Sequence, residues 1–183
     1  MSGPGDDRRT WLHSASGVLV EARSSVGLIS FGSQSIGGGF EGRVVDGKLD
    51  TTAPIHVSVL VPVDSLQSGN ALYDSELRTR LNVLRFPMIE AALTGVTDLG
   101  SGRYNVTGDL TIHGETRPQT GTATLTVEET PEPIVVIAGT AVVDMRDYGI
   151  ELPHVLMLRI YPDVAVHFRV TAPAGNPGEG EVH

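Results

Sequence analysis

The 183-residue chain contains no cysteine. Disulfides, thiolate metal sites and cysteine nucleophiles are therefore excluded. Aromatic residues make up only 5% of it, with four Phe, four Tyr and one Trp, so any apolar cavity must be lined mostly by aliphatic side chains. Basic residues are also scarce: 13 Lys and Arg stand against 22 Asp and Glu, a net charge of −9. Phosphate contacts need clustered Lys and Arg, so no nucleic-acid partner is expected. No apolar run approaches the roughly 20 residues that span a bilayer, so no membrane-spanning helix is expected either. The Gly-, Pro- and Asp-containing start, Met1 to Arg9, is not followed by the apolar segment of a secretory leader, from which a cytoplasmic location is expected.

Catalytic signatures are missing as well. There is no G-x-S-x-G elbow, no G-x-G-x-x-G and no P-loop. The six histidines form no H-x-H or H-x-x-x-H pair, so no metal site is expected. No catalytic residue is assigned. His113 beside Glu115 is the tempting candidate, but with no nucleophile near it, it reads as a turn histidine bonding nearby backbone. Asp109, on the polar face of its run, reads as a structural or solvent-facing residue.

What the chain does have is alternation. In Tyr104–Ile112, Val106, Gly108, Leu110 and Ile112 fall on one face, and Thr107, Asp109 and Thr111 on the other. A period of two marks a half-buried strand. His113-Gly114-Glu115-Thr116 supplies a turn, Pro118 restricts the backbone beside it, and Thr120–Val127 alternates again. Similar runs occur at Gly17–Arg23, Val26–Phe31, Gly39–Val45, His56–Val63, Met88–Val96, Ile134–Asp144, Leu156–Ile160 and Val164–Val170. One segment differs: Asn70 to Leu81 carries Leu72, Leu77 and Leu81 near helical spacing and predicts a helix of two or three turns. Many short antiparallel strands with one or two helices indicate an all-β barrel or sandwich. Composition predicts tails at residues 1–9 and 173–183 around one domain at 10–172.

Four elements, in order, resemble one family. Ser35 to Val44 is similar to its G-x-F strand. Asn70 to Leu81, leading into Arg85-Phe86-Pro87, is similar to its R-D-x-x-L helix and Phe-Pro strand entry, with Tyr73 in the place of the Arg. Gly108-Asp109-Leu110-Thr111-Ile112-His113-Gly114-Glu115-Thr116-Arg117-Pro118 is close to G-D-L-T-I-H-G-V-T-R/K-P. Asp144 to Ile150 is similar to I-N-R-x-D-F-G. The chain thus resembles the YceI-like family of lipocalin-like polyisoprenoid-binding proteins. The resemblance implies an extended eight-stranded antiparallel lipocalin-like β-barrel, a long apolar tunnel and pairing as a homodimer. It implies no cofactor. The tunnel's occupant would be an isoprenoid- or quinone-like small molecule.

The expected function is that of a binding or carrier protein for such a hydrophobic ligand. Two other readings stay open: an enzyme on the same barrel, a cyclase or isomerase acting on a hydrophobic metabolite, and a stress-linked interaction protein with a mostly filled core. Leu72, Leu77 and Leu81 either line the tunnel or pin the helix as ordinary core. Phe86, Met88 and Ile89, entering the next strand, are lining candidates, as are Phe31, Phe40, Met145, Met157 and Phe168. Tyr73 and Asp74 either meet a polar head group or, for Asp74, favour the helix start.

Overall fold

The computed structural model describes residues 10–11, 16–129, 131, 133–151, 154–155 and 158–173. Among these residues thirteen strands follow one another: β1 (Thr10–Trp11), β2 (Gly17–Ser24), β3 (Gly27–Ser33), β4 (Gly37–Glu41), β5 (Val44–Val45), β6 (Lys48–Leu49), β7 (His56–Pro62), β8 (Met88–Gly100), β9 (Arg103–Ile112), β10 (Glu115–Glu128), β11 (Ile134–Asp144), β12 (His154–Val155) and β13 (Leu158–Pro173). The α-helix α1 (Ala71–Arg80) and the short 3₁₀ turns Val63–Ser65 and Met145–Tyr148 interrupt them.

Eleven strands form a single antiparallel sheet in the order β1-β4-β7-β8-β9-β10-β11-β13-β2-β3, with β12 added to β13. The remaining two, β5 and β6, make a separate hairpin. The fold is the expected all-β, lipocalin-like one, but the sheet has eleven strands rather than eight. Two of the extra strands, β1 and β12, are two-residue additions, too short to show as periodicity in sequence. In the other direction, the runs Leu156–Ile160 and Val164–Val170 are parts of one strand, β13. Pro162, which cannot donate to a ladder, sits where the β13–β2 register slips between Ile160 and Val164. Similarly β10 starts at Glu115, not Thr120. Pro118 is tolerated because β11 pairs with β10 only from Gly121 onward, leaving the earlier residues an edge.

The sheet curls until β3, at one edge, meets the segment that follows β7. Gly32 of β3 and Gln67, just past β7, exchange both backbone hydrogen bonds at 2.9 and 3.0 Å. Beside that bridge the Ser33 and Ser65 hydroxyls lie 2.7 Å apart. Inward residues of all the long strands then face a common interior. At one end Phe40, Leu49, Tyr104, Leu125, Val135 and Ala172 are buried together. At the other, Val63, Leu81, Ile112, Val143, Tyr148 and Ile150 form a second cluster, flanked by Ile29, Phe31, Val61, Leu66 and Leu158. Tyr104 and Ile112 open and close the inward face of β9, so the two ends stand roughly 25 Å apart along the strand.

Candidate functional site

Between those ends lies a cavity of about 380 Å³, within the range of roughly 300–1,000 Å³ usual for small-molecule sites. Its wall is almost wholly apolar. Val18, Val20, Val57, Val59, Ile137, Val164, Val166 and Val170 contribute, with Phe31, Phe40 and Phe168 among the few aromatics. The space exists because the inward positions midway along four neighbouring strands are small. Ala91 on β8, Gly108 on β9, Gly121 on β10 and Ala141 on β11 all line it. Gly121 and Ala141 are directly paired, and a Cβ on Gly121 would stand 2.7 Å from the Thr140 carbonyl oxygen. Larger side chains on this diagonal would fill the interior; the glycines keep it open.

The helix α1 lies over the end of the barrel formed by the second and third clusters. Asn70 starts it, its side chain accepting from the Leu72 and Tyr73 N–H groups at 3.0 and 3.4 Å. Tyr73, Glu76, Leu77, Arg80 and Leu81, spaced three and four apart, face the cavity. The Glu76 carboxylate and the Arg80 guanidinium are paired at 3.4 Å, with side chains only 32% and 34% exposed. Arg80 also approaches Glu151 at 4.0 Å, and Arg78 pairs with Asp64 at 3.5 Å. Both contacts tie the helix to the barrel rim.

The structure therefore places Phe31, Phe40, Tyr73, Leu77, Leu81, Ile89, Met145 and Phe168 on the cavity wall. Leu72 points elsewhere and is 48% exposed, because the inward stripe of α1 runs one residue out of phase with it. Asp74 is engaged outside the cavity. Its carboxylate accepts from the Ser68 hydroxyl at 2.6 Å and the Ser68 N–H at 2.8 Å, and these bonds hold its pKa below the ordinary range. Phe86 and Met88 are not among the lining residues. The Phe86 ring packs edge-on against His113, centroids 5.2 Å apart. Met157 lies outside the described residues. Glu76, Arg80 and the small residues Ala91, Gly108, Gly121 and Ala141 are wall residues that the sequence reading did not single out.

His113 and Gly114 form the two-residue turn between β9 and β10, with φ of 55° and 76°. Positive φ at both central positions is the hairpin geometry that matches strand twist. The His113 Nδ1–H donates to the Tyr148 carbonyl at 3.2 Å. Gln119 donates to the Tyr148 hydroxyl at 2.8 Å, and the Tyr148 side chain is fully enclosed. Burial pushes the Tyr148 pKa upward. The 3₁₀ turn carrying Tyr148 is itself capped by Asp144, whose carboxylate accepts from the Arg146 N–H at 2.9 Å and its guanidinium at 2.7 Å. So the two most distinctive sequence motifs meet at one end of the barrel and lock to each other. Among the described residues no group of His, Asp and Glu is arranged to hold a metal, and no helix is long and apolar enough to cross a membrane.

This architecture, a curled antiparallel sheet around an apolar cavity with a helix over one end, defines a lipocalin-like class. Residues 18–172 match the YceI-like domain, and the chain belongs to that family. A UPF0312 protein of Shewanella denitrificans is 34% identical over 116 residues, covering 60% of this chain and 56% of the relative. The match thus spans little more than half of that relative's length. One of Vibrio cholerae is 31% identical over 118 residues, 60% of each chain. Among solved structures, Burkholderia cenocepacia BcnA superposes with a TM-score of 0.73 at 16% identity, over 88% of this chain and 99% of its own. A polyisoprenoid-binding domain from Saccharophagus degradans, implicated in plant cell wall breakdown, gives 0.70 at 14% identity, over 91% and 99%.

Proposed function

We propose that this protein binds a hydrophobic small molecule, isoprenoid- or quinone-like, inside the barrel and acts as its carrier. The observation that supports this most is the wall of the cavity: aliphatic side chains from every long strand, with Ala91, Gly108, Gly121 and Ala141 holding the middle open. A slim, branched hydrocarbon chain suits such a space. Burial of its surface contributes about 25 cal/mol per Å², and a preformed wall avoids the cost of ordering the site on binding. The polyisoprenoid-binding activity of the Saccharophagus degradans domain, which shares the fold, points the same way.

Displacement of an environment-sensitive apolar fluorophore tests the reading. Farnesol and a short-tailed ubiquinone should each displace it at a stoichiometry of one. A Leu77→Trp variant should lose the site, because Leu77 reaches the cavity from α1. A fluorophore that never binds, or one that binds both proteins equally, would overturn it.

A further inference from the structure

The polar end of the ligand has few places to go. Tyr104 lines the cavity, but its hydroxyl accepts the Leu49 N–H at 3.0 Å. Gln119 lines it too, but its amide is donated to Tyr148 at 2.8 Å. Thr107, Asp109 and Thr120 belong to the exposed face of the sheet. What remains at the wall lies on α1, where Tyr73 and the half-buried Glu76–Arg80 pair share the stripe of Leu77 and Leu81, and of these only the pair is charged. An ion pair there has a consequence for charge. Arg80 already faces two carboxylates, Glu76 at 3.4 Å and Glu151 at 4.0 Å. The local balance, with Asp64 and Arg78 beside it, is negative.

Resting on the carrier reading, we propose that Glu76 and Arg80 receive the polar end of the ligand and restrict it to an uncharged group, a prenyl alcohol, phenol or quinone. A phosphate or carboxylate would have to separate Arg80 from Glu76 and approach that carboxylate in a partly dry site, where like charges are costly. A hydroxyl or carbonyl can instead accept from an Arg80 N–H that Glu76 does not use, and a hydroxyl can donate to the free lone pairs of Glu76. Glu76 is thus a specificity-determining residue, and neutralising it releases Arg80 as an anion site.

The test compares farnesol, farnesyl diphosphate and palmitate as displacers of the apolar fluorophore from the wild-type chain and from Glu76→Gln. Glu76→Gln keeps the size and hydrogen-bonding reach of the side chain and so spares the fold. Farnesol should bind the wild type at least about tenfold more tightly than either anion. In Glu76→Gln the anions should gain about tenfold relative to farnesol. Arg80→Gln in the Glu76→Gln background should abolish that gain. Anions that match farnesol on the wild type, or that gain nothing in Glu76→Gln, would overturn the head-group assignment while leaving the carrier reading intact. A fluorophore that never binds the wild type, or one that binds and is displaced by none of the three, would remove both.

Discussion

The Tyr104 hydroxyl accepts the Leu49 backbone N–H at 3.0 Å, a buried bond between residues 55 positions apart in the chain. It fixes the small β5–β6 hairpin against the end of the barrel opposite α1. Leu49 and Tyr104 belong to the same buried cluster, with Phe40 and Leu125. Tyr104→Phe keeps the ring and removes the acceptor, leaving a buried N–H unsatisfied. The expected loss is about 1–3 kcal/mol by urea unfolding, with faster amide exchange at Leu49. An unchanged exchange rate at Leu49 would count against this role.

Gly139 and Phe168 are direct partners across β11 and β13. A Cβ at Gly139 would run into the Phe168 ring and the Thr122 carbonyl. Gly139→Ala should therefore cost about 1–3 kcal/mol by overpacking. Because Phe168 lines the cavity, the same change should also weaken fluorophore binding. Restoring space with Phe168→Leu in the Gly139→Ala background should recover part of the stability. Additive losses in the double variant would contradict the packing argument.

At the β9–β10 turn, Gly114 combines a φ of 76° with a close approach of the Phe86 ring, 2.6 Å from where a Cβ would stand. Gly114→Ala meets both penalties. Left-handed backbone alone costs a non-glycine residue about 1–2 kcal/mol. The thermal midpoint should fall by several degrees, and the His113 ring resonances should shift as Phe86 moves away.

Stability should fall off at both ends of the pH scale. Asp74, held by the Ser68 hydroxyl, and Asp144, held by the Arg146 guanidinium, both have pKa values depressed below the ordinary 3.8. Their contribution is present above the unfolded value and is lost as pH falls through the folded ones. Tyr148 behaves in the opposite sense. Burial raises its pKa above 10.0, so its contribution is complete below that value and is lost as pH rises. Urea midpoints should decline below about pH 4 and above about pH 10. Asp74→Asn should flatten the acid decline, and an unaltered acid limb would exclude Asp74 from it.

The strands were legible because one face of each is buried, and burial on one face imposes a period of two. The helix was legible because Asn70 caps it and leucines follow. The phase of the helix was not. Leu72 is a natural partner of Leu77 only if leucine marks the inner face, whereas the inner stripe is Tyr73, Glu76, Leu77, Arg80 and Leu81. Charged residues normally mark a solvated face, so Glu76 and Arg80 carried no signal of their own; only the three-and-four spacing through Leu77 and Leu81 could have picked them out. Asp74 was legible as a helix-start residue, but its bonds to Ser68 depend on how the preceding loop folds back. Gly108 and Gly121 did leave a trace, since glycine on the inward side of an alternating strand weakens the strand unless space is needed there.

Whether the barrel is a carrier is decided most simply by mass spectrometry of an organic extract, made from protein purified under native conditions without detergent. One co-purifying prenylated molecule of uncharged head group is expected, near one per chain, and absent from an extract of Leu77→Trp prepared in parallel. A wild-type extract with no lipid enriched over the Leu77→Trp control, from protein that also fails to take up added farnesol or ubiquinone, would refute the carrier role.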